Sequence, residues 1–144
     1  MLGIIVTGHG NFASGILSAV ELIAGKMENV IGIDFRPDDS GMDLENNLKE
    51  ALDKLESYPS KVILTDLMGG TPFKTSVVLG MERENCTVIY GTNLPMVLEF
   101  ALSTESGDDL DKLVNKALEI SKEQINKFQL ALEEDNQQND EEGI

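Results

Sequence analysis

Short apolar runs alternate along the chain with longer segments in which apolar residues recur every three or four positions. The runs are rich in β-branched residues, which is typical of strands buried on both faces of a sheet. We predict a strand at each of the four runs, which lie at Leu2 to Val6, Val30 to Phe35, Val62 to Leu64 and Thr87 to Tyr90.

The segments between the runs have the periodicity of amphipathic helices. The first two predicted helices have apolar faces formed by Phe12, Ile16, Val20 and Ile23, and by Leu44, Leu48, Leu52 and Leu55. A last helix is predicted from about Asp108 to Glu134, with a stripe that would pack on the domain or on a second subunit. That stripe comprises Leu110, Val114, Leu118, Ile125, Phe128 and Leu132.

Strand and helix alternate, and the connections are too long for hairpins. Such a chain forms right-handed βαβ crossovers, so its strands run parallel and its helices cover the sheet. We therefore predict an α/β fold with an open, doubly wound, mainly parallel sheet and helices on both faces. A length of 144 residues fits one compact domain, which we place at residues 1–134. Residues 135–144 are acidic and almost without apolar side chains, which predicts a disordered tail.

Charge and composition narrow the possible partners. The formal net charge of -15 argues against nucleic acid binding, because that affinity comes mainly from Lys and Arg on phosphates. No apolar run approaches the ~18 residues that a membrane helix needs, and the first residues lack the layout of a secretory signal. We expect a soluble cytoplasmic protein. The lone cysteine, Cys86, lies in a strand-like run, where cysteine usually acts as a small core residue.

In open α/β sheets the ligand crevice lies at the carboxyl ends of the strands. His9, the only histidine, lies between two glycines after the first predicted strand, which makes it a candidate nucleophile. Asp66 follows the third strand and could accept a hydrogen bond from one imidazole nitrogen. That bond would fix the tautomer, leave the other nitrogen free to attack and stabilise the cation that forms.

The segment from Gly69 to Pro72 predicts a flexible loop entering a helix, with Thr71 at the N-cap and Pro72 at the first helical position. Such a helix end attracts phosphate, and Gly69 and Gly70 would let the backbone approach it closely. With His9 and Asp66, this loop would form the minimum apparatus for accepting a phosphoryl group. No nucleotide-binding lysine motif and no metal-ligand cluster is visible in the sequence, so we predict neither a metal nor another cofactor.

Three segments together resemble the enzyme IIA component of the mannose-type bacterial sugar phosphotransferase system (PTS). They are Ile4 to Gly10, Asp66 to Phe73, and Gly91 to Met96, within a similarity over roughly residues 1 to 130. The resemblance implies a phosphotransferase in which His9 accepts phosphate from the carrier protein HPr and passes it to a IIB component. The IIC and IID membrane partners then take up the sugar.

By the same resemblance Asp66 holds the histidine ring, and Thr71 with its glycines contacts the phosphoryl group. The resemblance also implies a homodimer that exchanges a strand, and a free-standing subunit because no IIB domain follows. Threonine stands at position 71, where serine also occurs in the family.

The main alternative is a Rossmann-type dinucleotide-binding module. Gly8, Gly10 and Ala13 follow the first predicted strand with suitable spacing, and Asp34 lies near the end of the second. Against this alternative, it gives no role to Asp66 or to the segment from Gly69 to Pro72, and the chain has little room for a substrate domain.

Overall fold

The structure, a computed structural model, describes residues 1–103 and 109–131. Strands and helices alternate until the end of the sheet, and two helices follow the last strand. In chain order the elements are β1 (Leu2–His9), α1 (Phe12–Ala24), β2 (Val30–Phe35), α2 (Gly41–Lys54), β3 (Ser60–Thr65), α3 (Thr71–Met81), β4 (Cys86–Ile89), α4 (Leu94–Ala101) and α5 (Leu110–Glu123).

The strands form one parallel sheet in the order β2-β1-β3-β4. Its two inner strands are buried along nearly their whole length, as their continuous apolar runs predict. β1 continues three residues beyond the predicted end at Val6 because its pairing with β2 extends to His9, which is opposite Phe35. The glycine and polar residues near its end therefore do not show where the strand stops, whereas its pairing with β2 does.

The helices cover both faces of the sheet. On one face, β1 and β3 pack against α1, α4 and α5 around side chains such as Val6, Leu64 and Phe100. On the other face, the intervening residues of the same strands pack against α2 and α3 around Ile5 and Leu48. The predicted doubly wound α/β fold is therefore confirmed, and alternate residues of the central strands supply the two cores.

The strand order places the point where the chain reverses its winding direction between β1 and β3. Their register pairs Thr7 with Thr65, the last residue of β3, and β1 continues two residues further to His9. In such sheets the crevice outside these carboxyl ends is where ligands bind. The fold thus brings the segments after β1 and β3 side by side.

The prediction of a last helix running to Glu134 is wrong over its described second half. α5 ends at Glu123, and residues 125–131 are not helical. The apolar side chains of this segment do not pack against the described part of the chain, since Ile125 is 71%, Phe128 86% and Leu130 74% exposed. In addition, the Asn126 side chain accepts the N–H of Lys127, a local bond that competes with helix formation.

Some other expectations fail or fall outside the described part of the chain. Ile23, placed on the buried face of α1, is 42% exposed because it lies in the last turn, beyond the cover of the sheet. The end of the domain at residue 134 and the disorder of residues 135–144 lie outside the described residues. Within residues 1–103 and 109–131, no helix combines the length and apolar character needed to cross a membrane.

Candidate functional site

The two residues predicted to carry the chemistry lie together at the carboxyl edge of the sheet. His9 is the last residue of β1, not a loop residue after it, and its side chain is exposed. Asp66 immediately follows β3, the neighbouring strand. A side chain at Gly8 would prevent this approach, because its Cβ would lie 2.9 Å from the Cβ and Cγ of Asp66. The structure thus brings together the two residues that the sequence places in a shared crevice.

A single carboxylate oxygen of Asp66 holds both the backbone and the ring of His9. Oδ2 accepts the His9 backbone N–H at 2.9 Å and lies 2.7 Å from the ring nitrogen Nδ1. The other oxygen, Oδ1, accepts the N–H of Leu67 at 2.8 Å. Three contacts therefore fix the carboxylate, and the carboxylate in turn holds Nδ1 of the imidazole.

The same contacts keep Asp66 ionised. Burial of the carboxyl group raises its pKa, but the hydrogen bonds from the His9 backbone, the His9 ring and the Leu67 backbone outweigh that effect, and the pKa of Asp66 is lowered from its usual value. An ionised carboxylate can only accept hydrogen bonds, so Nδ1 must carry the proton. The lone pair of the neutral ring then lies on Nε2.

Buried threonines tie together the strand ends that carry this pair. The Thr7 hydroxyl donates to the Ile33 carbonyl at 2.8 Å, linking β1 to β2. The Thr65 hydroxyl donates to the Ile89 carbonyl at 2.7 Å, linking β3 to β4. The Thr92 hydroxyl donates to the Thr65 carbonyl, also at 2.7 Å, and so fixes the peptide group that leads into Asp66. Thr92 belongs to the Gly91 to Met96 segment. Its contact with Thr65 gives it a structural role at this edge.

The imidazole lies against the backbone of Gly70. A Cβ at this position would be 2.5 Å from Cε1 and 3.1 Å from Nε2 of His9, so only glycine leaves room for the ring. Gly69 has a φ of +92°, a conformation that side chains other than glycine rarely adopt. The two glycines therefore allow the chain to turn and to approach Nε2 closely.

The prediction of Thr71 as an N-cap is wrong by one residue. Gly70 is the N-cap of α3, Thr71 is its first helical residue, and Pro72 is its second. The ring of His9 occupies the space beside Gly70, so this cap position has no room for a side chain. Gly70 nonetheless lies against the imidazole of His9, and Gly69 and Thr71 adjoin it in the chain. Thr71 is exposed at the start of the helix.

The N-terminus of α3 is also the one helix start in the described residues without a side-chain acceptor. At each of the other helices a side-chain oxygen accepts a backbone N–H of the first turn. The acceptors are Asp34 at α1, Ser40 at α2, Asn93 at α4 and Asp109 at α5. The positive end of the α3 dipole and its N–H groups are therefore open to an anion beside Nε2.

The residues that suggested a dinucleotide-binding site have roles within the fold. Asp34 accepts the N–H of Ser14 at 2.9 Å, so its carboxylate serves the start of α1. Ala13 is fully buried, and Gly10 has a φ of +58° at the turn into α1. These contacts account for the glycine-rich turn and the strand-end acid as parts of the fold.

One neighbour of the imidazole was missed by the sequence analysis. The ring of Phe35, at the end of β2, lies with its centroid 6.1 Å from that of His9, and the planes are inclined by 66°. The signal was available in principle, because Phe35 ends a strand adjacent to β1 in the same way as Asp66 follows β3.

The hydrogen bond to Asp66 predicts the tautomer of His9 in the free protein. In alkaline buffer we expect Nδ1 to carry the proton, and we expect Asp66→Ala to shift the population towards the Nε2–H form because its acceptor is lost. Nitrogen-15 NMR of histidine-labelled protein gives an unambiguous answer, since His9 is the only histidine. Equal tautomer populations in the two proteins would show that Asp66 does not set the proton position.

Comparisons with known proteins point to one family. The family model EIIA-man, PTS system fructose IIA component, matches residues 3–118. The chain is 31% identical over 124 residues to the mannose-specific PTS EIIAB component of Escherichia coli K12, and it covers 38% of that longer protein. It is 32% identical over 120 residues to the sorbose-specific EIIA component of Lacticaseibacillus casei, with 83% of this chain and 86% of that protein covered.

A solved structure shares both the fold and much of the sequence. The crystal structure of phosphotransferase system component EIIA from Streptococcus agalactiae superposes with a TM-score of 0.79 at 40% identity. The match covers 88% of this chain and 97% of that one. The chain therefore belongs to the EIIA-man family of PTS IIA components.

Proposed function

We propose that the chain is a phosphohistidine carrier, in which Nε2 of His9 accepts a phosphoryl group from phospho-HPr and passes it to a IIB component. The observation that carries the proposal is the position of Nε2. This nitrogen does not take part in the Asp66 hydrogen bond, and it lies beside the start of α3, where no side chain accepts the backbone N–H groups. An exposed nucleophile and an open anion site lie side by side. Phosphoryl transfer depends mostly on such positioning and on charge stabilisation.

The transfer needs only groups that the two proteins supply. The Nε2 lone pair forms the new N–P bond while the bond between phosphorus and the donor's histidine breaks, and the donor nitrogen keeps that electron pair. His9 becomes more positive as the bond forms, and the Asp66 carboxylate on Nδ1 offsets this charge. Transfer to IIB is the same step in reverse, with a nucleophile of IIB attacking phosphorus.

The phosphoryl group would be held by the backbone at the start of α3. Gly69 and Gly70 leave space next to Nε2, and the N–H groups of the first turn have no side-chain acceptor. The Thr71 hydroxyl, on the first helical residue, is exposed and can donate to a phosphate oxygen. These contacts would replace the hydration of the phosphate without a metal ion.

Partner proteins would dock on the surface around His9. Leu67 and Met68, directly after Asp66, are 51% and 62% exposed, which gives the crevice an apolar rim. Such a rim suits the short-lived contacts of a relay in which HPr and IIB bind in turn. The IIC and IID membrane components would act only after IIB, so the chain would work in the cytoplasm and would not meet the sugar.

A homodimer that exchanges a strand is part of the proposal. β4 is an edge strand, and residues 125–131 follow α5 without helical structure and with exposed apolar side chains. In a dimer, the apolar segment of one copy would pair with the open edge of β4 in the other copy. Asn93, which donates to the Ser121 carbonyl at 3.2 Å, holds the end of α5 near the carboxyl edge of the sheet.

Phosphoryl labelling of the purified protein tests the carrier function. With phosphoenolpyruvate, enzyme I and HPr, we expect the purified protein to take up one phosphoryl group that is labile in acid and stable in base. His9→Ala should abolish the label, because the chain has no other histidine.

Its control is Asp53→Asn, a surface substitution in an ion pair with Arg83, which should label as the wild type does. Acid-stable label, or equal label in His9→Ala, would overturn the assignment of His9.

The dimer is tested by substitution in the segment after α5. Phe128→Glu should raise the dimer dissociation constant at least about tenfold, because it places a charge in the proposed apolar contact. Leu22→Glu is a matched control, since Leu22 on α1 is 89% exposed and Phe128 is 86% exposed. Size-exclusion chromatography with light scattering over a concentration series measures the constant. A wild-type protein that stays monomeric throughout the micromolar range would contradict the dimer.

A further inference from the structure

The end of β2 contacts the segment that carries His9 at three points. The Phe35 carbonyl accepts the N–H of Gly10 at 2.7 Å, and the Asp34 carboxylate accepts the N–H of Ser14 at 2.9 Å. The third point is the ring of Phe35, whose centroid is 6.1 Å from that of the His9 imidazole. β2 therefore holds the backbone on both sides of the turn into α1 and also contacts the ring.

The hydrogen bond to Asp66 does not by itself fix the plane of the imidazole. It constrains one ring atom, Nδ1, and hydrogen bonds tolerate a range of angles around their ideal direction. The ring can therefore tilt about that atom unless other groups block the movement. Nε2, on the far side of the ring from Cγ, would be displaced most by such a tilt.

Two groups restrict the tilt. The backbone of Gly70 lies against Cε1 and Nε2, with no space for even a methyl group between them. The Phe35 ring makes an edge contact, and inclined aromatic pairs at this separation attract each other. Phe35 is itself held, because it is half-buried and packs on the core between β2 and α2. Its ring is a firm support, unlike the exposed side chains of the crevice rim.

We infer that Phe35 is a positioning residue for the phosphoryl transfer, keeping the imidazole in the plane that directs Nε2 at the start of α3. The inference rests on the proposed carrier function for its kinetic consequence. The consequence is a loss of maximal transfer rate when the ring is removed, since a displaced nucleophile lies further from its line of attack. Affinity for the donor should change little, because Phe35 acts through His9.

The test compares Phe35→Leu with a matched substitution on the same core. Tyr58→Leu also removes an aromatic ring that packs on this cluster, but Tyr58 precedes β3 at the opposite edge of the sheet. Phe35→Tyr keeps the ring and is the conservative variant. Phe35→Met, which keeps an apolar side chain of similar size, serves if the leucine variant does not fold.

Single-turnover transfer from phospho-HPr is measured over a range of donor concentrations. It gives the maximal rate and, separately, the donor concentration at half-saturation. We expect Phe35→Leu to lower the maximal rate about three- to tenfold, with less than a twofold change in half-saturation. Phe35→Tyr and Tyr58→Leu should retain the wild-type rate. An unchanged maximal rate, or a change confined to half-saturation, would overturn the positioning role.

A second measurement needs no partner protein and so separates this inference from the carrier function. Carbon-13 relaxation at Cε1 of His9 reports fast motion of the imidazole. We expect a lower order parameter in Phe35→Leu and wild-type values in Phe35→Tyr and Tyr58→Leu. Wild-type protein that takes no label would refute the carrier function alone. An unchanged order parameter in Phe35→Leu would refute the positioning role alone.

Discussion

The contact between Nδ1 of His9 and the carboxylate of Asp66, 2.7 Å long, is the interaction on which the rest of the site depends. It determines which nitrogen carries the proton, and therefore which nitrogen has a lone pair. It also turns the ring so that this second nitrogen lies against Gly70. Without that orientation, the open start of α3 would be an ordinary helix end.

The fold makes this contact possible through the order of its strands. Because β1 and β3 are neighbours and β3 ends two residues short of the end of β1, the last residue of β1, His9, meets Asp66 at short range without a long loop. Buried hydroxyl bonds from Thr7, Thr65 and Thr92 then hold the strand ends in place. The pair at the edge is thus supported by regular structure, which gives better precision than a site built from loops.

The sequence was sufficient for the fold class and for placing His9 and Asp66 at the same edge of the sheet, and the reasons are physical. Buried strands need continuous apolar runs, and parallel strands place their carboxyl ends at one edge, so His9 and Asp66 could be assigned to one crevice. The end of β1 could not be read, because pairing with β2 carries the strand through glycine to His9. The end of the last helix was misjudged, since periodicity does not reveal whether a surface exists for the stripe to cover.

The details of the anion site also required the structure. The imidazole fills the space beside Gly70, so the N-cap of α3 has no side chain, a long-range effect that local capping preferences cannot include. The contact of Phe35 with His9 depends on strand register, which the apolar pattern of β2 alone does not specify.

In the proposed transfer, the Asp66 carboxylate both orients His9 and offsets the charge that develops on it. Single-turnover transfer from phospho-HPr to Asp66→Asn tests this most directly, because the amide can still accept the Nδ1 proton but carries no charge. Loss of such an electrostatic partner commonly costs about 2 to 4 kcal/mol of barrier, so we predict a maximal rate lower by tens to hundreds of fold, with Asp53→Asn unaffected. A folded Asp66→Asn protein that accepts phosphate at the wild-type rate would contradict the account.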